Sequence, residues 1–132
     1  MRNDLAEYKG LYIIGLDDTR DSKSIGARLK TINTEHNLSK KYAILMNHRP
    51  IGWKDASKYV NLMLSGHTHA GQIWPFTYLI YLEGNVKQGI HTVPGNEHFM
   101  LYVNSGTGTW GPPMRLGTNT EITVFNLESV KK

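Results

Sequence analysis

The chain of 132 residues reads as an α/β protein with a mixed β-sheet flanked by helices. Three observations predict this class. Apolar runs of strand length, Leu11 to Leu16, Tyr42 to Asn47 and Asn61 to Ser65, are separated by segments of helical character. In one of those segments Ile25, Leu29 and Ile32 fall at i, i+4 and i+7, a single apolar stripe suited to facing a sheet. Towards the C-terminus strands alone remain, at Gly89 to Val93, His98 to Asn104 and Glu121 to Asn126.

Leu11 to Leu16 is the first predicted strand. Asp21 or Ser24 caps a helix running to about His36, and Asn37-Leu38-Ser39 ends it. Tyr42 to Asn47 is the next strand, Lys54 to Tyr59 a short helix, and Asn61 to Ser65 the third strand. Strands joined by helical crossovers are expected to be parallel neighbours. The later strands are expected to be antiparallel, with a Pro94-Gly95-Asn96-Glu97 turn between the first two. Length allows one compact domain. The hydrophobic content of 39% is slightly low for a globular domain.

The chemistry concentrates in Ser65-Gly66-His67-Thr68-His69-Ala70-Gly71-Gln72. Residues two apart in extended chain point to the same side. On that argument His67 and His69 aim two imidazoles at one point, and neutral imidazole is the commonest side-chain metal ligand. Gly66 and Gly71 bracket the pair and are expected to permit positive φ and close approach to a ligand. The run Tyr42-Ala43-Ile44-Leu45-Met46 ends in Asn47-His48-Arg49-Pro50, so a third histidine leaves a strand end in the same way. Taken alone, these three histidines suit a mononuclear zinc site with an open fourth position, or hydrogen-bond to backbone in a non-catalytic interaction module.

Leu45-Met46-Asn47-His48-Arg49-Pro50, Gly66-His67-Thr68-His69-Ala70-Gly71-Gln72, the stretch Gly106 to Gly117 and Glu121-Ile122 together resemble the C-terminal half of calcineurin-like metallophosphoesterases. The resemblance runs from about Leu11 to Leu127. It is nearest to a branch whose members often carry N-terminal membrane anchors, which implies a membrane-associated parent. The family's early DxH, GDxxD and GNH blocks do not occur here, so the chain is expected to be the C-terminal portion of a single domain. That implies half of a four-layer αββα sandwich.

The resemblance implies a metal-dependent hydrolysis of a phosphomonoester, a phosphodiester or a lipid-linked pyrophosphate. Its cofactors would be two divalent transition-metal ions (Mn, Fe or Zn). His48 and His67 would ligate one metal and His69 the other. Gly66 and Gly71 would shape the loop, Arg49 would stand near phosphate or form an ion pair, and Asn47 would orient a neighbour. His36, His91 and His98 match no ligand block. Without the bridging acid of the missing blocks, the fragment is expected to be inactive alone. Its inner sheet face, carrying alternate residues of Tyr42 to Met46 and Leu101 to Val103, is expected to meet the other half or a second copy.

Other partners are constrained by composition. The net charge is +4 and the pI about 9.3, but the basic residues are scattered and no nucleic-acid motif is present. The chain has no cysteine, which excludes disulfides and thiolate ligands. No run is long enough to span a bilayer, and the N-terminus lacks a signal-peptide core. Ile73 to Leu82 is aromatic-rich and reads as a loop that either forms a lid or a surface for a lipidic substrate or a bilayer, or packs on the missing half.

Overall fold

A computed structural model describes residues 2–82 and 86–129. Strands β1 (Asp4–Tyr8), β2 (Leu11–Gly15), β3 (Tyr42–Met46), β4 (Leu62–Ser65), β5 (Gly89–Val93) and β6 (Asn96–Val103) form one sheet in the order β1-β2-β3-β4-β6-β5. The central strands β2, β3, β4 and β6 are mutually parallel, and the two edge strands are antiparallel to their neighbours. The fold is thus α/β with a mixed sheet, as the run-and-stripe pattern predicts.

Helix α1 (Ser22–His36) begins at Asp21, whose carboxylate accepts from the Lys23 N–H at 3.0 Å. It ends at Asn37 in the left-handed conformation, with the Asn37 N–H bonded to the Asn33 carbonyl. Its stripe buries Ile25 and Leu29 completely. Helix α2 (Trp53–Ala56) is shorter than the expected Lys54 to Tyr59 segment, which continues as turns. Both helices lie on one face of the sheet, over Tyr12, Ile14, Ala43, Leu45, Met63, Leu101 and Val103. Burying each such aliphatic side chain contributes roughly 1.5–3 kcal/mol.

The other face carries apolar rows set by the register. Ile13, Ile44, Leu62 and Met100 form one row, and Met46, Leu64, Tyr102 and Ile90 another. No helix among the described residues packs there: Ile44 and Leu62 are buried within the sheet surface, while Tyr42, Met46 and Ile90 are exposed. Leu101 and Val103 therefore belong to the helix-covered side. The other side takes Met100 and Tyr102 instead, because β6 sets them opposite Leu62 and Leu64 of β4.

Three elements differ from expectation. β1 is an added edge strand, joined to β2 by the two-residue Lys9-Gly10 turn; its exposed, polar sequence carries no core signal. Ile73 to Leu82 is not a loop throughout: helix α3 (Phe76–Leu82) occupies most of it and buries none of its residues. Glu121 to Asn126 forms no strand. Its alternation is real, with Thr123 and Phe125 turned to Tyr102 while Ile122 and Val124 are exposed. A strand needs a ladder partner, however, and side-chain bonds hold this segment instead.

Candidate metal and phosphate site

Parallel strands deliver their C-terminal ends to one edge of the sheet, where ligand sites form. The β3 end presents Asn47, His48 and Arg49, and the β4 end presents Gly66, His67 and His69. The two ends are tied by backbone bonds, Asn47 N–H to Leu64 O at 3.1 Å and Gly66 N–H to His48 O at 3.0 Å.

His48 and His67 are brought together. His67 Nδ1 lies 3.0 Å from His48 Nε2, and the rings meet edge-on with centroids 4.9 Å apart. Arg49 Nη1 donates to His67 Nε2 at 2.6 Å. With that nitrogen accepting, the His67 proton sits on Nδ1 and points at His48. Burial first, then the Arg49 and His48 charges, lower the pKa of His67, which keeps its ring neutral as metal ligation requires. Arg49 is also ion-paired to Asp18, Nε to Oδ1 at 2.9 Å. Burial pushes the Asp18 carboxyl up, but Arg49, His48 and His67 outweigh it and hold it below its usual value.

His69 does not reach its place by the extended-chain argument. β4 ends at Ser65, and His67 and His69 have φ of 69° and 49° in a turn that closes as a 3₁₀ segment. His69 Nδ1 instead donates to Gly108 O at 3.3 Å, which leaves Nε2 as the free acceptor. Donation of the second N–H to a backbone carbonyl is the arrangement common among metal-ligating histidines. Among the described residues no three His, Asp or Glu side chains converge tightly enough to cage a metal ion. Imidazole nitrogens nevertheless suit a transition metal: an ion between His48 and His67 would take the place of the Nδ1 proton that joins the two rings, and His69 is oriented by the Gly108 carbonyl.

The glycines divide. Gly71 has φ of 77°, and a Cβ there would lie 2.4 Å from Thr77 Cα, so α3 can approach the turn only over glycine. Gly66 does not have positive φ, and a Cβ there would meet only Asn104 O at 3.7 Å. The expectation of strain at Gly66 is therefore corrected: the positive φ values belong to His67, His69, Ala70 and Gln72. Asn47 is buried and its amide donates to Arg49 O at 2.7 Å, while its Oδ1 has no hydrogen-bond partner.

Two residues that hold this turn were not singled out from sequence. Gln72 is buried, donates to Trp110 O at 2.7 Å and accepts from the Trp110 N–H. Arg115 donates to the carbonyls of His69, Ser105 and Gly108 at 3.0, 2.8 and 2.7 Å. Together they lock the 106–117 loop onto the histidine turn. Both lie in the matched motifs, but their pairing is tertiary and leaves no periodic signal. His36, His91 and His98 lie elsewhere; His91 donates to Lys87 O, and His98 is exposed.

Known proteins were compared with this chain. It is 40% identical to an uncharacterized metallophosphoesterase of Campylobacter jejuni over 78% of the chain and 27% of that protein. It is 38% identical to an uncharacterized metallophosphoesterase of Aquifex aeolicus over 89% of the chain and 46% of that protein. It is 45% identical to a zebrafish (Danio rerio) transmembrane protein with metallophosphoesterase domain over 61% of the chain and 18% of that protein. The chain thus spans less than half the length of these relatives. No family model matches it, and no solved structure matches it.

Proposed function

We propose that this chain, which belongs to the metallophosphoesterases and is the C-terminal part of their domain, supplies one half of a two-metal centre that hydrolyses phosphoesters. The observation that carries this reading is the facing pair of imidazoles, His48 Nε2 and His67 Nδ1 at 3.0 Å, at adjacent ends of parallel strands. His48 and His67 would hold one ion and His69 the other. Two divalent ions (manganese, iron or zinc) supply charge neutralisation for the phosphate and activation of a water. Burial and, after it, Arg49 lower the pKa of His67, and Arg49 brings a guanidinium to the same place, where it can pair with a phosphate oxygen. Arg115 and Gln72 fix the turn that aims His69. Gly71 admits α3 beside it, and Asn47 anchors the Arg49 carbonyl.

The remaining ligands and the acid that bridges two cations would come from a segment preceding the described strands. The open apolar face of the sheet is where that other half, or a second copy of this chain, would pack. No described helix is long and apolar enough to cross a membrane. A membrane-associated parent is supported by the vertebrate relatives named as transmembrane proteins, and by the exposed Trp74, Phe76 and Tyr78 around the start of α3.

The test is metal-dependent hydrolysis of a chromogenic phosphodiester by a protein carrying both halves of the domain. Activity should require added manganese and fall by more than the roughly 10–100-fold that loss of a ligand's supporting partner costs, since His67→Ala removes a ligand itself. The fragment alone should turn over little. Robust metal-dependent turnover by the fragment, or full activity in His67→Ala, overturns the reading.

A further inference from the structure

The turn carrying His67 and His69 forms one end of a cleft of about 660 Å³ whose walls are otherwise mostly apolar. That volume suits one small molecule, and a few polar groups at one end of an apolar cleft fix the orientation of an amphiphile. Ile73, Phe76, Leu79 and Ile80 form one wall, and Trp110 and Pro112 stand in the other. The apolar residues are uncovered: Phe76 and Leu79 are about half exposed, and Trp110 is 77% exposed. The polar end carries His67 and His69, with the Arg49 guanidinium 2.6 Å from the His67 ring. Imidazoles in the lining, with the Arg49 guanidinium behind His67, and hydrocarbon surface along the rest are the complement of a molecule with a phosphate head and an apolar tail.

We propose that this cleft binds a phosphate ester of an apolar alcohol, with its hydrocarbon along α3 and Trp110 and its phosphate against the histidines. The proposal rests on the phosphoesterase reading and narrows its substrate class. α3 is held in place for this task. Gly71 lets it sit against the turn, and the backbone of Trp74 is bonded to Leu116 O at 2.8 Å. The cleft is therefore a fixed part of the site and follows directly from its ligand turn.

Butyl, hexyl and octyl phosphate, inorganic phosphate and octanol are titrated into the chain in manganese buffer, followed by Trp110 fluorescence. The Kd should fall about fourfold for each added methylene, the gain from burying one CH₂. Octyl phosphate should bind far more tightly than either inorganic phosphate or octanol. Leu79→Asp and, separately, Phe76→Ser should flatten the chain-length dependence and leave the affinity for inorganic phosphate unchanged. Both positions are surface-exposed, so the fold tolerates them. If every alkyl phosphate binds like inorganic phosphate, the cleft serves only to seat another part of the domain; the proposal fails and the phosphoesterase reading stands. If octanol binds as well as octyl phosphate and inorganic phosphate does not bind, both fail. A chain-length dependence that survives both variants also overturns the proposal.

Discussion

His67 shows how a single residue combines strand topology, backbone strain and electrostatics. Its φ of 69° is uncommon for a side-chain-bearing residue, and His69, Ala70 and Gln72 share the left-handed sign. Each such residue costs on the order of 1–3 kcal/mol and persists only where surrounding bonds over-determine it. Here Arg115 and Gln72 provide those bonds. A similar knot holds the C-terminal segment. Burial pushes the Glu121 carboxyl up, but bonds from Thr123, Tyr102, the Ser105 N–H and Gln88 outweigh it and hold its pKa at about 2, against an ordinary 4.5. A folded-state pKa below the unfolded value gives stability that is complete above about 4.5 and lost as pH falls towards 2. Wild type should therefore melt above Glu121→Gln at pH 7, and the gap should close between pH 4.5 and 2 in parallel thermal melts. A gap that is constant across that range would show that the carboxylate's charge contributes nothing.

At the scale of elements, the two glycines of the histidine turn make opposite predictions. Gly71→Ala forces a Cβ into the Thr77 backbone at a positive φ, and should destabilise by about 1–3 kcal/mol, as overpacking does, while loosening α3. Gly66→Ala meets an ordinary contact and should change stability by less than about 0.5 kcal/mol. Urea titrations with α3 followed through Trp74 fluorescence distinguish them; equal effects would contradict the turn geometry. The sequence makes β2, β3 and β4 with their parallel order legible, and α1 with Asp21 as one of two candidate caps, because burial imposes periodicity on them; the parallel pairing of β6 with β4 is not among what it shows. It hides β1, whose exposed residues carry no apolar alternation, and α3, whose apolar residues face no core. It also misleads at Glu121 to Asn126, where correct alternation lacks a ladder partner. The histidines are legible as strand-end residues. The phase of β6, the positive φ values and the Arg115 and Gln72 ties are not, since each depends on contacts between segments far apart in the chain.

For the whole molecule, the dominant feature among the described residues is a sheet covered by helices on one face and only partly covered on the other, where Tyr42, Met46 and Ile90 stay exposed. Each 100 Å² of apolar surface left wet there forgoes about 2.5 kcal/mol of burial. The isolated chain should therefore self-associate, most simply as a twofold dimer through the exposed Tyr42, Met46 and Ile90. Analytical ultracentrifugation at tens of micromolar should show the dimer, and Met46→Lys should shift it to monomer; a stable wild-type monomer would mean that the sheet needs no cover. The same open face is where the other half of a phosphoesterase domain would complete the metal site. Metal counting by equilibrium dialysis, on a protein carrying both halves, tests that claim most directly. It should find two divalent ions per chain in the wild type and close to one in His69→Ala, with the fragment alone binding metal only weakly. A single tightly held zinc, bound equally by this fragment and by the longer protein, would contradict it.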